Sequence, residues 1–223
     1  MLEHPVLAID TCAAAGTVAL LDLQNGATKV TCIDQLELGG RAASAELVPA
    51  MIAMLRRSAL EIGGLRSILV VNGPGSFTGV RVGLSTAKGL AHAAGIPIVS
   101  ISRLAVLASL ASEKTDLEKA DFLALLDAGR NEFYARRGER EWLATFAEIA
   151  ALAEKRTPVL IAEETIAERL AAWNPVLVGP LDAYAAGRAA LERLRSGDVE
   201  DLATLDANYL RRSDAELFAR PAR

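Results

Sequence analysis

The stretch Asn72-Gly-Pro-Gly-Ser-Phe-Thr-Gly-Val-Arg-Val-Gly83 constrains the fold of this chain more than any other. It follows the apolar run Ile68 to Val71, which reads as a buried strand. It leads into a helical pattern from about Gly79 to Ala94, ended by Gly95. Gly73-Pro74-Gly75 sets permissive residues beside a rigid one, as a tight turn requires. Ser76 and Thr78 bring hydroxyls to the helix start, where free amides and a partial positive charge gather. A turn built this way suits an anion, or another stretch of backbone that must come very close. No Gly-Lys-Ser/Thr follows at the required spacing, so it is not a Walker A loop. Arg81 lies in the first helical turns, in place for an anion or a partner's carboxylate. Gly79, Gly83 and Ala87 form one small-residue stripe, and Thr86, Gly89 and Ala93 fall near another. That spacing also lets a second helix approach closely.

The elements before this turn read as an antiparallel meander. Val6 to Asp10 is a short apolar strand ending in a carboxylate, and Gly16 to Leu23 is a second. Asn25-Gly26 signals a hairpin, because both central residues of a type I′ turn take positive φ, and Lys29 to Asp34 returns as a third strand. Arg41 to Ile62 is helical, with Leu47, Val48, Met51, Ile52, Leu55 and Ala59 on a wide apolar face. Pro49 kinks it or marks its first turn, and Gly63-Gly64 ends it. After the glycine-rich helix come a short strand, Ile96 to Ile101, and a helix capped by Ser102 and running to about Ser112. The order is β-β-β-α-β-α-β-α, unlike the strict alternation of a dinucleotide-binding fold.

A charged stretch, Lys114 to Lys119, reads as a linker. Asp121 to Asp127 and Glu132 to Arg136 follow as strands joined at Ala128-Gly129-Arg130. Beyond Trp142 the pattern is helix, strand (Pro158 to Ile161), helix (Glu163 to Trp173), strand (Val176 to Val178) and helix (Leu181 to Arg195). Two α/β lobes that each open with hairpin strands suggest a duplicated fold, residues 1–113 and 114–223, with the second copy smaller and degenerate.

Composition limits the partners. The 223 residues are 52% hydrophobic and 23% charged, an ordinary globular balance with enough chain for a filled core. A net charge of −4 argues against a protein that binds nucleic acid by itself, since phosphate neutralisation supplies most of that affinity. The local basic groups are Arg136, Arg137 and Arg140, then Arg211 and Arg212, then Arg220 and Arg223; such groups are more often solvated surface. Cys12 and Cys32 lie in apolar segments without Cys-x-x-Cys spacing and read as small buried hydrophobes of a reducing compartment. The first residues lack a signal peptide's pattern, and no run reaches the roughly 18 apolar residues of a membrane helix. A cytoplasmic location without membrane contact is expected.

The strand ending Asp10-Thr11, followed by a Gly-Thr hairpin, resembles the start of actin-like and sugar-kinase-like ATPases. There the carboxylate and turn amides face phosphates and metal, which makes Asp10, Thr11, Gly73, Gly75 and Ser76 the candidate anion or nucleotide contacts. Together with Gly-Pro-Gly-Ser-Phe-Thr-Gly-Val-Arg, the segment Leu126-Asp-Ala-Gly-Arg-Asn-Glu-Phe-Tyr134 and the tail Asn208-Tyr-Leu-Arg211, it is similar to the TsaB (YeaZ) family. The similarity is dense over residues 6–136 and thinner to about 212. It implies an actin-like ATPase (ASKHA, Gcp-like) fold of two related lobes. It also implies a role in forming N6-threonylcarbamoyladenosine at position 37 of tRNAs that read codons starting with A.

In that family TsaB is a non-catalytic partner of TsaD, which transfers the threonylcarbamoyl group, and the ATPase TsaE joins the pair. No cofactor of its own is implied, with ATP or ADP entering at the level of the complex and tRNA bound only through it. Self-association through the same helices is implied when TsaD is absent. TsaD-like relatives carry a His-x-x-x-His metal pair where this chain has Arg103 and Leu107, and neither side chain binds a metal. Of the two histidines, His4 is near the start and His92 reads as a helix-face residue. Many relatives have a His where this chain has Ala42-Ala43.

The expected partner surface is an exposed apolar patch on the two helices: Val48, Met51, Ile52, Leu55, Gly79, Arg81, Gly83, Leu84 and Ala87, with Lys88 at its rim. An independent actin-like ATPase or phosphotransferase is the alternative, favoured by Asp10 and the glycine turn. It is opposed by the lack of a second phosphate loop. A peptidase lacks both His-Glu-x-x-His and a histidine base for any nucleophile.

Overall fold

The structure is a computed structural model that describes residues 2, 4–24, 28–39, 43–115, 121–153 and 157–211. Strands β1 (Pro5–Asp10), β2 (Gly16–Asp22) and β3 (Thr31–Leu38) form the expected meander. Helix α1 (Ala43–Arg57) leads to β4 (Ser67–Val71), which lies parallel to β1. Helix α2 (Phe77–Ala94) leads to β5 (Ile98–Ile101), parallel to β4, and α3 (Arg103–Thr115) leaves the sheet. The first sheet therefore has the order β3-β2-β1-β4-β5. Its centre, β1, is buried at every position, as a strand covered on both faces must be.

The second sheet repeats this plan. β6 (Leu123–Gly129), β7 (Glu132–Arg137) and β8 (Arg140–Thr145) form a meander, followed by α4 (Phe146–Ala153). β9 (Val159–Ile161) lies parallel to β6, and β10 (Val176–Leu177) lies parallel to β9. Between them run α5 (Glu164–Ala167) and a 3-10 helix, Glu168–Trp173. The order β8-β7-β6-β9-β10 matches β3-β2-β1-β4-β5 strand for strand. This repeated topology is the two-lobed actin-like ATPase fold, with every strand of the second copy but the central β6 shorter than its counterpart.

Helices α6 (Ala183–Ala189) and α7 (Leu191–Ser196) are the last helices among the described residues. Helix α6 packs on β1 and β2, although it follows the second sheet in the chain. Its first amide partners include Thr17, whose hydroxyl oxygen accepts from the Ala183 amide at 2.9 Å. The segment after α7 also returns to the first sheet: Glu200 donates its amide to the Ile98 carbonyl at 2.8 Å. The sheets lie within residues 5–101 and 123–177, so we propose lobes divided near residue 113, with residues 182–211 packed back on the first. Apolar side chains of α3, α6, the first sheet and β6 share one core, while α1 and α2 cover the other face of the first sheet. Helix α4 and the residues of α5 cover the far face of the second.

Several elements differ from expectation for local reasons. Strand β8 was not expected, because its first residues, Arg140-Glu141-Trp142, carry charge and lack a clean alternation. Helix α1 stops at Arg57, and Ala59 takes a positive φ of 52°, so the expected extension to Ile62 becomes a separate 3-10 turn at Ile62–Gly64. Pro49 sits inside α1. The expected helix Leu181 to Arg195 is broken at Ala190, where φ is −92° and ψ is 5°. Lys114 belongs to α3, while the Asn25-Gly26 hairpin and most of the expected linker lie outside the described residues.

Candidate functional site

Strands β1 and β6 hold equivalent places in their sheets, and each carries a carboxylate at its carboxyl end, Asp10 and Asp127. In an open α/β sheet this end is where ligands collect. Asp10 is buried, and one of its oxygens accepts the Cys12 amide at 2.8 Å. The other lies 4.0 Å from Nε of Arg103, itself only 7% exposed. Arg103 opens α3, and its amide donates to the Gly73 carbonyl at 2.7 Å. Its Nη1 donates to Glu163 at 3.2 Å, and the second Glu163 oxygen accepts the Asp127 amide at 2.8 Å. Asp127 in turn pairs with Arg169 at 3.1 Å. A chain of charges thus runs from the end of β1 to the end of β6.

A second network closes the same region. Ser102, Arg136 and Asn208 each donate to Glu141, all at 2.6 Å. Asn208 also donates its amide to the Asn72 carbonyl at 2.8 Å. The expected basic group at 136–140 is therefore partly internal, since Arg136 is buried between Glu139 and Glu141. Arg211 is likewise paired with Glu132, and Arg212, Arg220 and Arg223 lie outside the described residues.

The glycine turn is filled by the chain itself. The Ser76 amide donates to the Cys12 carbonyl at 2.8 Å, and the Thr11 hydroxyl donates to the Gly79 carbonyl at 2.6 Å. A Cβ on Gly75, Gly79 or Gly83 would sit under 3.0 Å from Cys12 O, Thr11 O and Thr11 Oγ1 respectively. Of the two uses open to this turn, close backbone approach is the one realised, and the approaching segment is the β1–β2 turn. The Gly79, Gly83 and Ala87 stripe faces that turn and the sheet, not another helix. Ser76 does cap α2, accepting the Gly79 amide at 3.3 Å. Asp10, Thr11, Gly73, Gly75 and Ser76 are therefore brought together, and the polar atoms of Asp10, Thr11, Gly73 and Ser76 are engaged with Cys12, Gly79, Val80 and Arg103.

Nucleophile chemistry has little support at this place. Burial first, then the Asp10 charge, push the Cys12 thiol well above its ordinary range. Its sulfur donates to the Val71 carbonyl at 3.4 Å. Cys32 is half-buried rather than fully buried. Among the described residues, no group of three His, Cys, Asp or Glu side chains is disposed to hold a metal ion. Leu107, which the family resemblance sets opposite the second histidine of a metal pair, is fully buried. His92 is exposed in the last turn of α2, and the His4 amide donates to Asp22 at 2.9 Å.

The expected partner patch needs correction. Met51, Leu55, Leu84 and Ala87 are buried against the first sheet, and Gly83 is buried over Thr11. They are the inward faces of α1 and α2, whose apolar periodicity marks the core side. Lys88 is half-buried and donates to the Leu205 carbonyl at 2.8 Å. What stays exposed is the opposite side of α1: Ala45, Val48, Pro49, Ile52 and Ala53, with Val48 39% and Ile52 45% exposed, and the charged Glu46, Arg56 and Arg57 beside them. Beside it, α2 presents Ser85, Gly89 and Ala93. Arg81 is exposed too, over the Phe77 ring. Ala42 lies outside the described residues, and nothing is described of the Ala43 side chain.

Sequence reasoning missed Glu163, Asp127, Arg169, Glu141 and Asn208 as members of the cleft. The available signal was the repetition of an apolar strand ending in Asp, Ala-Ile-Asp10 and Leu-Leu-Asp127.

Fold and charge network together define an actin-like, Gcp-type two-lobed protein in which Arg103 is buried between Asp10 and Glu163, and Arg169 pairs with Asp127. The family model described as TsaD, tRNA N6-adenosine threonylcarbamoyltransferase, matches residues 37–172. The chain belongs to this family, and within it to the TsaB (YeaZ) proteins. It is 36% identical over 141 residues to the tRNA threonylcarbamoyladenosine biosynthesis protein TsaB of Haemophilus influenzae, covering 63% of this chain and 56% of that protein. It is 32% identical over 136 residues to TsaB of Escherichia coli, covering 61% and 55%. The chain thus matches just over half the length of these curated relatives. YeaZ from Pseudomonas aeruginosa shares its fold at a TM-score of 0.69 and 22% identity, over 93% of this chain and 100% of that one.

Proposed function

We propose that the chain is a non-catalytic supporting subunit in the formation of threonylcarbamoyladenosine at position 37 of tRNAs reading codons that start with A. In this account it pairs with a TsaD-type catalytic subunit and activates it, and a TsaE-type ATPase joins the pair. It needs no cofactor of its own, works in the cytoplasm, and meets tRNA only through the complex. The observation that carries the proposal is Arg103. Its guanidinium lies between Asp10 and Glu163, where the fold would offer carboxylates to a metal-bound nucleotide. A fixed internal cation there removes the need for a metal and competes with one.

The exposed α1 stripe supports the pairing. Five small or apolar residues at helical spacing, bordered by the exposed Glu46 and Arg56, suit a partner helix better than solvent. The same stripe serves self-association when the partner is absent.

The test is co-purification with a cognate TsaD-type subunit. Pairing is expected for the unaltered chain and is expected to fail for Ile52→Asp. Tight binding and turnover of Mg-ATP by the isolated chain would instead favour an independent ATPase.

A further inference from the structure

Two sequence motifs 128 positions apart meet on the surface. The Arg81 Nε of the glycine-rich helix donates to the Tyr209 hydroxyl of the tail at 2.7 Å. The Arg81 guanidinium lies 3.7 Å above the Phe77 ring centre and 5.6 Å from that of Tyr209. The two rings are 5.4 Å apart and tilted by 32°. Three side chains thus form one cluster at the start of α2, held from behind by Asn208 on Asn72 and by Arg211 on Glu132.

A cluster that served only to anchor the tail would bury its rings. Here Phe77 remains 46% exposed and Tyr209 40%. The cation is also without a counter-charge: among the described residues no carboxylate pairs with Arg81. Stacking and the bond to Tyr209 fix the guanidinium plane in advance, so little side-chain freedom is left to lose on binding. Exposed aromatic and arginine side chains fixed in this way are the groups most enriched at binding hot spots.

We propose that Phe77, Arg81 and Tyr209 form a docking site for a protein segment that presents a carboxylate beside an apolar residue. The carboxylate takes the outward guanidinium edge, and the apolar neighbour covers the exposed rings. A nucleic-acid strand fits less well. Among the described residues Arg211 is neutralised by Glu132, and the Lys88 ammonium, still charged, is held on the Leu205 carbonyl, so Arg81 is not part of a row of free cations that would track several phosphates. The site rests on the pairing proposed above, because its occupant is taken to be the catalytic subunit.

The experiment measures affinity for the cognate TsaD-type subunit by titration calorimetry, with Arg81→Ala, Arg81→Lys, Arg81→Glu and Ile52→Asp compared. Thermal unfolding of each variant is recorded alongside. Arg81→Ala is expected to weaken binding at least about tenfold with an unfolding midpoint near that of the unaltered chain. Arg81→Glu should weaken it further, and Arg81→Lys should restore only part, since an ammonium cannot grip a carboxylate bidentately. Unchanged affinity for the Arg81 variants, with binding lost in Ile52→Asp, would overturn the site and leave the pairing intact. Unchanged affinity in all four would overturn both this site and the α1 stripe as the pairing surface, and no binding by the unaltered chain would overturn the pairing itself. Loss of binding to a tRNA anticodon stem-loop in Arg81→Ala, with affinity for the subunit unchanged, would assign the cluster to RNA and overturn the protein occupant.

Discussion

Replacing Gly79 with alanine should destabilise the protein, while replacing Gly89 with alanine ten positions along the same helix should stabilise it. At Gly79 the added methyl would press on the Thr11 carbonyl, a backbone atom held by the β1–β2 turn on one side and by the Thr11–Gly79 bond on the other. Overpacking of this kind costs about 1–3 kcal/mol, and a backbone obstacle places it toward the upper end. The intrinsic helix gain of alanine over glycine offsets at most about 1 kcal/mol. The net expectation is a loss of about 1–2 kcal/mol, or a fall in Tm of about 2–8 °C for a chain of this size. At Gly89 nothing lies within 4 Å of the added methyl, so only the gain remains and Tm should rise by about 2–4 °C. Urea and thermal unfolding followed by circular dichroism read both signs. If Gly79→Ala stabilises as Gly89→Ala does, the close approach of Thr11 to the helix is wrong.

Further expectations concern the surface, the cleft and pH. Ile52→Asp should change stability by no more than about 0.5 kcal/mol, whereas Met51→Asp, one residue away but buried, should prevent folding; chemical denaturation separates them. Arg103→Met should cost about 3 kcal/mol by leaving Asp10 uncompensated, and adding Asp10→Asn should recover at least about 1 kcal/mol. Strict additivity in that double-mutant cycle would show that the two groups do not interact. Thr145 and Glu148 form a capping box at the start of α4, with Glu148 accepting the Thr145 amide at 2.7 Å and hydroxyl at 2.8 Å. These bonds hold the Glu148 carboxyl below its usual value of 4.5. Because the folded pKa is the lower one, the contribution is complete above 4.5 and fades as pH falls through the folded value. A carboxyl titration by NMR should show Thr145→Ala moving Glu148 part of the way back up, since the hydroxyl bond is lost while the amide bond remains, and no movement would refute the hydroxyl's part in the box.

Much of the fold was legible because it rests on local signals. The run Val6 to Asp10, the apolar stretch Ile68 to Val71 and the glycine ends of helices state their elements outright. The order of elements along the first half followed from them. Strand β8 was not legible, since Arg140-Glu141-Trp142 reads as surface until Glu141 is seen accepting three internal donors. The helix faces illustrate a different limit. Periodicity located the apolar side of α1 through Leu47, Met51 and Leu55, but amphipathic spacing does not say whether that side meets the protein's own sheet or a partner. The sheet took it, and the outer stripe of Val48 and Ile52 was left for solvent or a partner. At the glycine turn the residues allowed either an anion or a backbone; only the position of Thr11 and Cys12 decided. The partners of Arg103 come from three distant segments, and no spacing rule links Asp10, Arg103 and Glu163.

The central claim is that this chain supports the modification without performing it. Its most direct test is a reconstitution in which N6-threonylcarbamoyladenosine is measured in tRNA by mass spectrometry, with threonylcarbamoyl adenylate supplied. The cognate TsaD-type and TsaE-type subunits are tested with and without this chain, and the chain is also tested alone. Modified tRNA is expected only when the chain and the catalytic subunit are both present. Modification by the chain alone, or an equal yield without it, would contradict the account.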